Sequence, residues 1–374
     1  MQPYLRVFLL AASTAFLATP AFAHHPGGTG NAGGAGPVTT IPAETLDQGQ
    51  VAAFILYEYI KLQGLDDPTL VAAASRHEHA HSIGTIESTS LGAAFGITDD
   101  LTVSIRLPFV TRTDIREGTH SHVHGAAVNS VTARGGTSGI GDATVLGQWR
   151  FFNNEASGSA AAALFGLKLS TGKTNAVDRA GELFETEFQP GSGSTDVLAG
   201  LAVTQRFGTW AVNASALYVF VNKGAQNTDL GDRFQYNAAL SFRLFGSSPG
   251  RAVLGTDTPV AYAHGAAHSA PEPRGDVHTH ADGRVHRHEE PKLTAPLSVD
   301  AVLELNGEWH DHQVIAGERD RNSGGNVVYL SPGIRISAAN VSGFASIGVP
   351  VVNDMYGLQA KPSHRVLGGL AVSF

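Results

Sequence analysis

The histidines of the chain, seventeen in all, recur at alternate positions, and this spacing is the feature of the sequence that could do chemistry. In an extended backbone, residues i and i+2 project from the same side, so two neighbouring imidazoles can chelate one ion. Imidazole suits zinc, copper and nickel, and short histidine-rich tracts commonly bind metal. The candidate metal ligands are His77, His79, His81, His120, His122, His124, His278, His280, His286 and His288.

An interpretation of the histidines without metal stays open, because polar loops can accumulate histidine. Two further motif matches are weaker. The run from His77 to His81 satisfies the H-E-x-x-H pattern of zinc proteases, but that pattern requires a helix, and no third ligand is evident. Gly172-Lys173-Thr174 matches the end of a phosphate loop, but Leu167 stands where the first glycine is required. We find no convincing Ser/His/Asp set either, so the chain is predicted not to be an enzyme.

The elements that carry these residues are predicted to be β-strands, because apolar and polar residues alternate along them. From Leu297 to Glu308, for example, the apolar and polar side chains fall on opposite faces. Several runs have the length of about 9–11 residues that a membrane-spanning strand needs. The twelve candidate strands are residues 51–60, 86–97, 101–111, 141–152, 159–170, 195–207, 210–221, 233–245, 297–309, 326–337, 340–351 and 364–374.

The end of the chain indicates how these strands are arranged. Residues Arg365 to Phe374 alternate strictly and stop on an aromatic residue, which resembles the C-terminal strand of bacterial outer-membrane barrels. Short and long connections also alternate, as they do in such barrels. We therefore predict an all-β fold, a transmembrane antiparallel β-barrel of about twelve strands over residues 51–374, in which the first strand pairs with the last. A large exported β-sandwich is the alternative fold.

Three segments are predicted to lie outside the barrel wall. Residues 1–23 have the charged start, apolar run and Ala21-Phe22-Ala23 site of a signal peptide cleaved after Ala23. Residues 24–50 are rich in glycine and are predicted to form a flexible periplasmic tail. Residues 246–296, rich in histidine and proline, are predicted to be a disordered periplasmic insert. The predicted location is the outer membrane of a Gram-negative bacterium, and the net charge of −8 argues against nucleic acid as a partner.

The strand pattern also places charged residues inside the predicted barrel. One interpretation is a ladder of mutually satisfied charges that fills the interior, and the other is a constriction that selects anionic or polar solutes. By the same count of strands, the histidines at 77–81 and 120–124 lie in outer loops and those at 278–288 lie in the periplasm. The predicted lumen residues are Arg150, Arg206, Arg243, Arg335, Asp300, Glu304 and Glu308.

Four stretches carry a resemblance to a known family: Leu107 to Gly118 (LPFVTRTDIREG), Gly191 to Val203 (GSGSTDVLAGLAV), Leu230 to Leu244 (LGDRFQYNAALSFRL) and Val327 to Ser337 (VVYLSPGIRIS). They resemble the outer-membrane proteins grouped as the MetA-pathway of phenol degradation family, which are often called transporters. The resemblance implies a barrel and the passage of small organic solutes, and it assigns no catalytic residue.

The leading hypothesis is therefore an outer-membrane channel or facilitator for small solutes, with membrane lipid and a small solute as partners. The alternative is an outer-membrane protein that captures divalent zinc, copper or nickel through its histidine-rich loops, and an outer-membrane hydrolase is third. No other cofactor is implied.

Overall fold

Each wall strand pairs in antiparallel fashion with the next along the chain, and the last pairs with the first. The computed structural model describes residues 37–78, 80–124, 126–246, 277–279, 285–287 and 297–374. Within them, twelve strands close into one barrel, as predicted. The strands are β1 Val51–Gln63, β2 Thr85–Thr98, β3 Leu101–Val123, β4 Thr144–Asn154, β5 Ser159–Lys168, β6 Asp196–Phe207, β7 Trp210–Phe220, β8 Arg233–Phe245, β9 Leu297–His310, β10 Gly325–Ala338, β11 Val341–Met355 and β12 Lys361–Ser373.

The seam between β1 and β12 leaves no unpaired edge in the wall. Ala52 lies opposite Ser373, and the pairing continues to Gln63 opposite Lys361. The amide of the terminal residue Phe374 donates to the carbonyl of Val51 at 2.8 Å. Closure matters because an open strand edge in hydrocarbon would expose backbone groups that no water could satisfy.

The wall is polar inside and apolar outside, which is the reverse of a soluble sheet. On β9, Leu297 and Leu303 point outward and are each 45% exposed, whereas Asp300 and Glu304 point inward and are fully buried. A soluble β-sandwich would bury the leucines and expose the carboxylates. The exposed apolar surface is therefore suited to lipid, and the sandwich alternative is wrong.

The leucines of β9 allow a matched test of the lipid-facing surface. Leu303 lies in the middle of the strand and Leu297 at its periplasmic start, with equal exposure. Leu303→Arg is expected to destabilise the barrel by about 2–4 kcal/mol, and Leu297→Arg by only about 0–1 kcal/mol, because an arginine near the membrane surface can reach water. The measurement is urea unfolding in lipid vesicles. Equal losses for the two variants would contradict the assigned membrane depth.

Additional elements lie beyond the outer end of the wall. Strand β3 continues past the wall and pairs with Ala126–Ile140 in a long hairpin, where the sequence predicted a loop from residue 112. A helix, α1 (Asp67–Ser75), packs on this hairpin, and Asp66 caps it by accepting from the amide of Thr69. Within the described residues, no helix is long and apolar enough to cross a membrane. The short strands are His81–Ser82, Thr228–Asp229, Val314–Ile315 and Glu318–Arg319, with 3-10 turns at Thr186–Phe188 and Ala225–Asn227.

Two of the predicted segments outside the wall are described only in part. Residues 1–36, which include the predicted signal peptide, lie outside the described residues. Of the predicted insert 246–296, the structure describes Gly246 and two short strands, Val277–Thr279 and Val285–Arg287, that pair with each other. For the remaining residues of the insert, disorder stays a prediction.

Candidate functional site

Residues 37–50, here called the inner belt, lie inside the barrel rather than forming the flexible tail that the sequence predicts. The side chains of Val38, Thr39 and Thr40 are buried, and so is Ala43. The apolar and hydroxyl side chains of this segment find partners on the inner wall, which a glycine-rich linker composition does not reveal. Residues 24–36 of the predicted tail lie outside the described residues.

Glu304, in the middle of β9, holds the first turn of the inner belt. Its carboxylate accepts from the backbone amides of Val38, Thr39 and Thr40 at 2.9 to 3.1 Å and from the hydroxyl of Thr39 at 2.7 Å. Glu304 is fully buried. Hydrogen bonds to an ionised carboxylate are among the stronger ones in proteins, so this residue is the main anchor of the belt.

The rest of the belt follows the inner wall in the periplasmic half of the barrel. At Gly96, a side chain would place its Cβ 2.0 Å from the carbonyl oxygen of Asp47, so only glycine lets the belt pass β2 this closely. Hydrogen bonds between the belt and the wall run from Ile41 N to Ser215, from Ala43 N to Thr204, from Leu46 N to Thr102, and from Gln148 to the carbonyls of Pro42 and Glu44. The belt thus contacts strands on several sides of the lumen.

The connection 169–195 between β5 and β6, here called the inward loop, narrows the outer half of the lumen. Phe184 and Phe188 are buried in an apolar cluster with residues of β1, β2 and β3. The carbonyl of Phe188 accepts from Thr137 at 2.7 Å, and that of Gln189 accepts from Arg112 at 3.1 Å. These contacts hold the loop inside the mouth of the barrel.

His81 ties the inward loop to the wall. Its Nδ1 lies 3.1 Å from Glu187, and its Nε2 lies 3.8 Å from Glu185 and 4.0 Å from Glu117. Burial by itself lowers the pKa of His81, but the hydrogen bond and charge of Glu187, with the charges of Glu185 and Glu117, raise it to about 9. At neutral pH this imidazole is a cation bound by carboxylates, so the group acts as an ionic latch.

The latch gives the inward loop a defined pH dependence. The pKa of His81 is raised from 6.5 to about 9. Its contribution to the stability of the attached inward loop is therefore complete below pH 6.5 and is lost as the pH rises through about 9. We expect the loop to become more sensitive to added protease over this range. His81→Gln should remove the pH dependence, and His122→Gln on the exposed hairpin should keep it. An unchanged rate of loop cleavage between pH 7 and 10 in the native protein would contradict the latch.

Two adjoining cavities lie beside the inward loop. The inner cavity has a volume of about 110 Å³ and the outer one about 130 Å³. Ile41 of the belt belongs to the same apolar cluster as Leu198 and Val219, two residues that line the inner cavity, so the belt lies next to this cavity. The two cavities share Arg112, Glu187, Leu230 and Arg233 at their junction.

The arginines predicted for the lumen near the periplasmic end are paired. Arg150 contacts Asp100 of the neighbouring turn at 2.8 Å, and Arg206 contacts Glu44 of the belt at 2.6 Å. Arg150 therefore stabilises the end of the wall. Arg206 holds the belt.

The other predicted lumen charges also have partners. Arg243 forms an ion pair with Asp300, and both are buried. Arg335 is fully buried, donates to the carbonyl of Pro37 at 2.5 Å and lies over the ring of Phe344. Glu308 accepts from Gln235 and from His310, each at 2.9 Å. Each of these charges therefore contacts at least one neighbouring group, while the Nε and Nη1 of Arg335 are buried and have no hydrogen-bond partner.

Sequence reasoning missed the arginines that line the cavities, namely Arg106, Arg112 and Arg233. Strand alternation is the signal that could have identified Arg106 as inward-facing, because it shares the polar face of β3 with Thr102 and Ser104. The alternation pattern cannot show which inward arginine lacks a carboxylate, because that depends on side chains far apart in the sequence.

The predicted histidine ligands are only partly brought together. The ring centroids of His77 and His120 lie 4.4 Å apart, and those of His120 and His122 lie 5.0 Å apart. His81 is in the latch instead. Helix α1 ends at Ser75, so the H-E-x-x-H pattern is not on a helix. His124 ends the β3 side of the hairpin; His79, His280 and His288 lie outside the described residues, and of His278 and His286 only the paired backbone is described.

Comparisons with known proteins place the chain in a family. Residues 70–277, more than half of the chain, match the family model described as "Putative MetA-pathway of phenol degradation". No curated protein sequence matches. The solved structures with a similar fold include the COG4313 outer membrane channel from Pseudomonas putida F1, with 16% identity over 89% of this chain and 98% of that chain and a TM-score of 0.49. Two further structures are similar at 8% sequence identity and a TM-score of 0.35. One is a Pseudomonas aeruginosa FadL homologue, for which the match covers 87% of this chain and 89% of that chain. The other is the CymD monoaromatic hydrocarbon channel, for which the match covers 88% of each chain.

Proposed function

The chain belongs to the family of the MetA-pathway of phenol degradation, and on that premise we propose that it is a passive outer-membrane channel for small solutes. The observation that carries the proposal is a closed wall, apolar outside and polar inside, whose lumen contains two adjoining cavities. A solute enters the outer cavity beside the inward loop and passes the junction at Leu230 into the inner cavity.

The inner belt determines the last step of this path. We infer that it separates the inner cavity from the periplasm, because it lies next to the cavity and is attached to the wall by hydrogen bonds rather than by a continuous sheet. In the proposed mechanism, the belt leaves the wall to let the solute reach the periplasm. The channel is therefore a gated facilitator rather than an open pore.

Solute entry into liposomes that contain the protein tests the proposal. The protein should accelerate the entry of monocyclic solutes above the rate in protein-free liposomes. Leu230→Trp, at the junction of the two cavities, should slow that entry, because the larger side chain fills the path. Leu240→Trp, on the lipid-facing side of β8, is the matched control and should leave the rate unchanged. Entry no faster than in protein-free liposomes would refute the channel.

Metal capture at the outer hairpin is a second candidate function, favoured by the edge-on ring contacts of His120 with His77 and with His122. Zinc binding measured by calorimetry should be lost when these three residues are changed to alanine, and it should weaken in acid because protons compete for the imidazoles. His364→Ala, on a wall strand, is the control. Equal affinity and stoichiometry in the triple variant and the native protein would refute this function.

A further inference from the structure

We propose that the inner cavity is a binding site for a monocyclic organic anion, an aromatic carboxylate of the size of benzoate, held by Arg106 and Arg233. This inference rests on the proposed channel function and deepens it by naming the class of solute.

Arg106, on the inward face of β3, carries a charge that no carboxylate neutralises directly. The residue lines the inner cavity and is only 8% exposed. Its Nε donates to the hydroxyl of Ser90 at 2.9 Å. Glu58, whose charge acts on Arg106, pairs instead with Arg365 at 3.8 Å. A buried guanidinium is costly unless a counter-charge meets it, and the cavity is where such a charge would fit.

Arg233 adds a second cation at the junction of the two cavities. Across the described part of the chain, no carboxylate lies within 4.0 Å of either Arg106 or Arg233. The Nε of Arg233 is buried and has no hydrogen-bond partner. Its charge also repels that of Arg112, which lines both cavities. Glu187 acts on the charge of Arg112, so the cation for which an anion in the inner cavity would supply a counter-charge is Arg233.

The carboxylates that line the inner cavity do not supply the missing counter-charge, because other groups already engage them. Asp142 accepts from the amide and hydroxyl of Ser192 at 2.8 and 2.6 Å and lies 3.3 Å from Lys168. Glu187 accepts from Gln313 at 2.8 Å and contacts the cationic His81. The cavity thus keeps an excess of positive charge.

The remaining lining suits a ring. Val110, Leu198, Val219 and Leu230 supply an apolar surface next to the arginines. A cavity of about 150 Å³ holds benzene in another protein, and the inner cavity of about 110 Å³ opens into the outer one. One carboxylate can accept two parallel hydrogen bonds from an arginine while its ring contacts the apolar side. An aromatic carboxylate therefore fits both the arginines and the apolar surface of the site.

The test is calorimetric titration of benzoate, with neutral benzamide as the isosteric control, into the full-length barrel in detergent. Benzoate should bind once per barrel and about tenfold or more tightly than benzamide, since the carboxylate makes charge-assisted hydrogen bonds. Equal affinities for the two compounds, or no benzoate binding, would overturn the proposal.

Variants locate the site. Arg106→Gln and Arg233→Gln should each weaken benzoate binding by about tenfold, with little change for benzamide. Arg233 is only partly buried, so its variant should fold even if loss of the buried Arg106 impairs folding, and heat-modifiable migration in gels reports folding. Arg150→Gln, at the periplasmic end of the wall, is the matched control. Native benzoate affinity in the folded Arg233→Gln variant would place the anion elsewhere and overturn the assignment.

The binding and transport assays separate the two proposals. If benzoate binds as expected but liposomes that contain the protein take up no solute faster than protein-free ones, the site stands and the channel fails. If the protein carries neutral monocyclic solutes but does not bind benzoate, the channel stands and the anion site is refuted.

Discussion

Deletion of residues 37–46 is expected to raise the single-channel conductance of the barrel in a planar bilayer several-fold. These residues occupy the lumen and contact its wall through Ile41, Ala43 and Leu46. Their removal replaces buried protein with water and ions along the periplasmic half of the path. The barrel should still close, because the seam between β1 and β12 begins after the deleted segment.

A deletion of equal length provides the control for this experiment. Residues 256–265 lie in the connection between β8 and β9, and their removal should leave the conductance at the native value. If the shortened belt gives the same conductance as the native protein, residues 37–46 do not limit the flow of ions, and the gate lies elsewhere.

Glu304→Ala is expected to release the belt and to destabilise the protein by about 3–5 kcal/mol, the usual cost of removing one partner from a buried charged network. The substitution removes the acceptor of the amides of Val38, Thr39 and Thr40 and leaves Asp300 as the remaining carboxylate whose charge acts on the buried Arg335. Urea unfolding in lipid vesicles measures the loss, and added protease should cut the released belt faster than in the native protein.

Two comparison variants define the effect at Glu304. Glu304→Gln keeps the size of the side chain but loses its charge, so it should lie between the alanine variant and the native protein. Glu318→Ala changes an exposed carboxylate in an outer loop and should cost little. If Glu304→Ala is as stable and as protease-resistant as the Glu318 variant, Glu304 does not anchor the belt.

The wall of this protein could be predicted from the sequence because its signal is local. A period of two needs only neighbouring residues, so β9 was expected over residues 297–309 and extends over Leu297–His310. The long hairpin was missed because residues 112–123 are polar on both faces and show no apolar alternation. Its pairing with Ala126–Ile140 comes from backbone hydrogen bonds and from polar side-chain contacts such as that of His120 with Asn129, not from an apolar face.

The belt and the cavity charges could not be predicted, because their partners are far apart along the chain. Thr39 and Glu304 are separated by 265 residues, and nothing in either neighbourhood indicates the other. Glu304 was expected in the lumen, but its role as the anchor of the belt depends on this distant contact. For the same reason, Arg243 and Arg106 look alike in sequence, although Arg243 pairs with Asp300 and Arg106 has no carboxylate within 4.0 Å among the described residues.

A reversible disulfide between the belt and the wall tests most directly whether the solute must move the belt. The chain has no cysteine, so Ala43→Cys with Thr204→Cys supplies the only two thiols, at positions already joined by a hydrogen bond of 2.9 Å. The gated channel predicts that oxidised protein passes monocyclic solutes into liposomes far more slowly than the same protein after reduction. The single variant Thr204→Cys should not respond to oxidation. Equal rates in the oxidised and reduced forms, with the cross-link verified by mass spectrometry, would contradict the account.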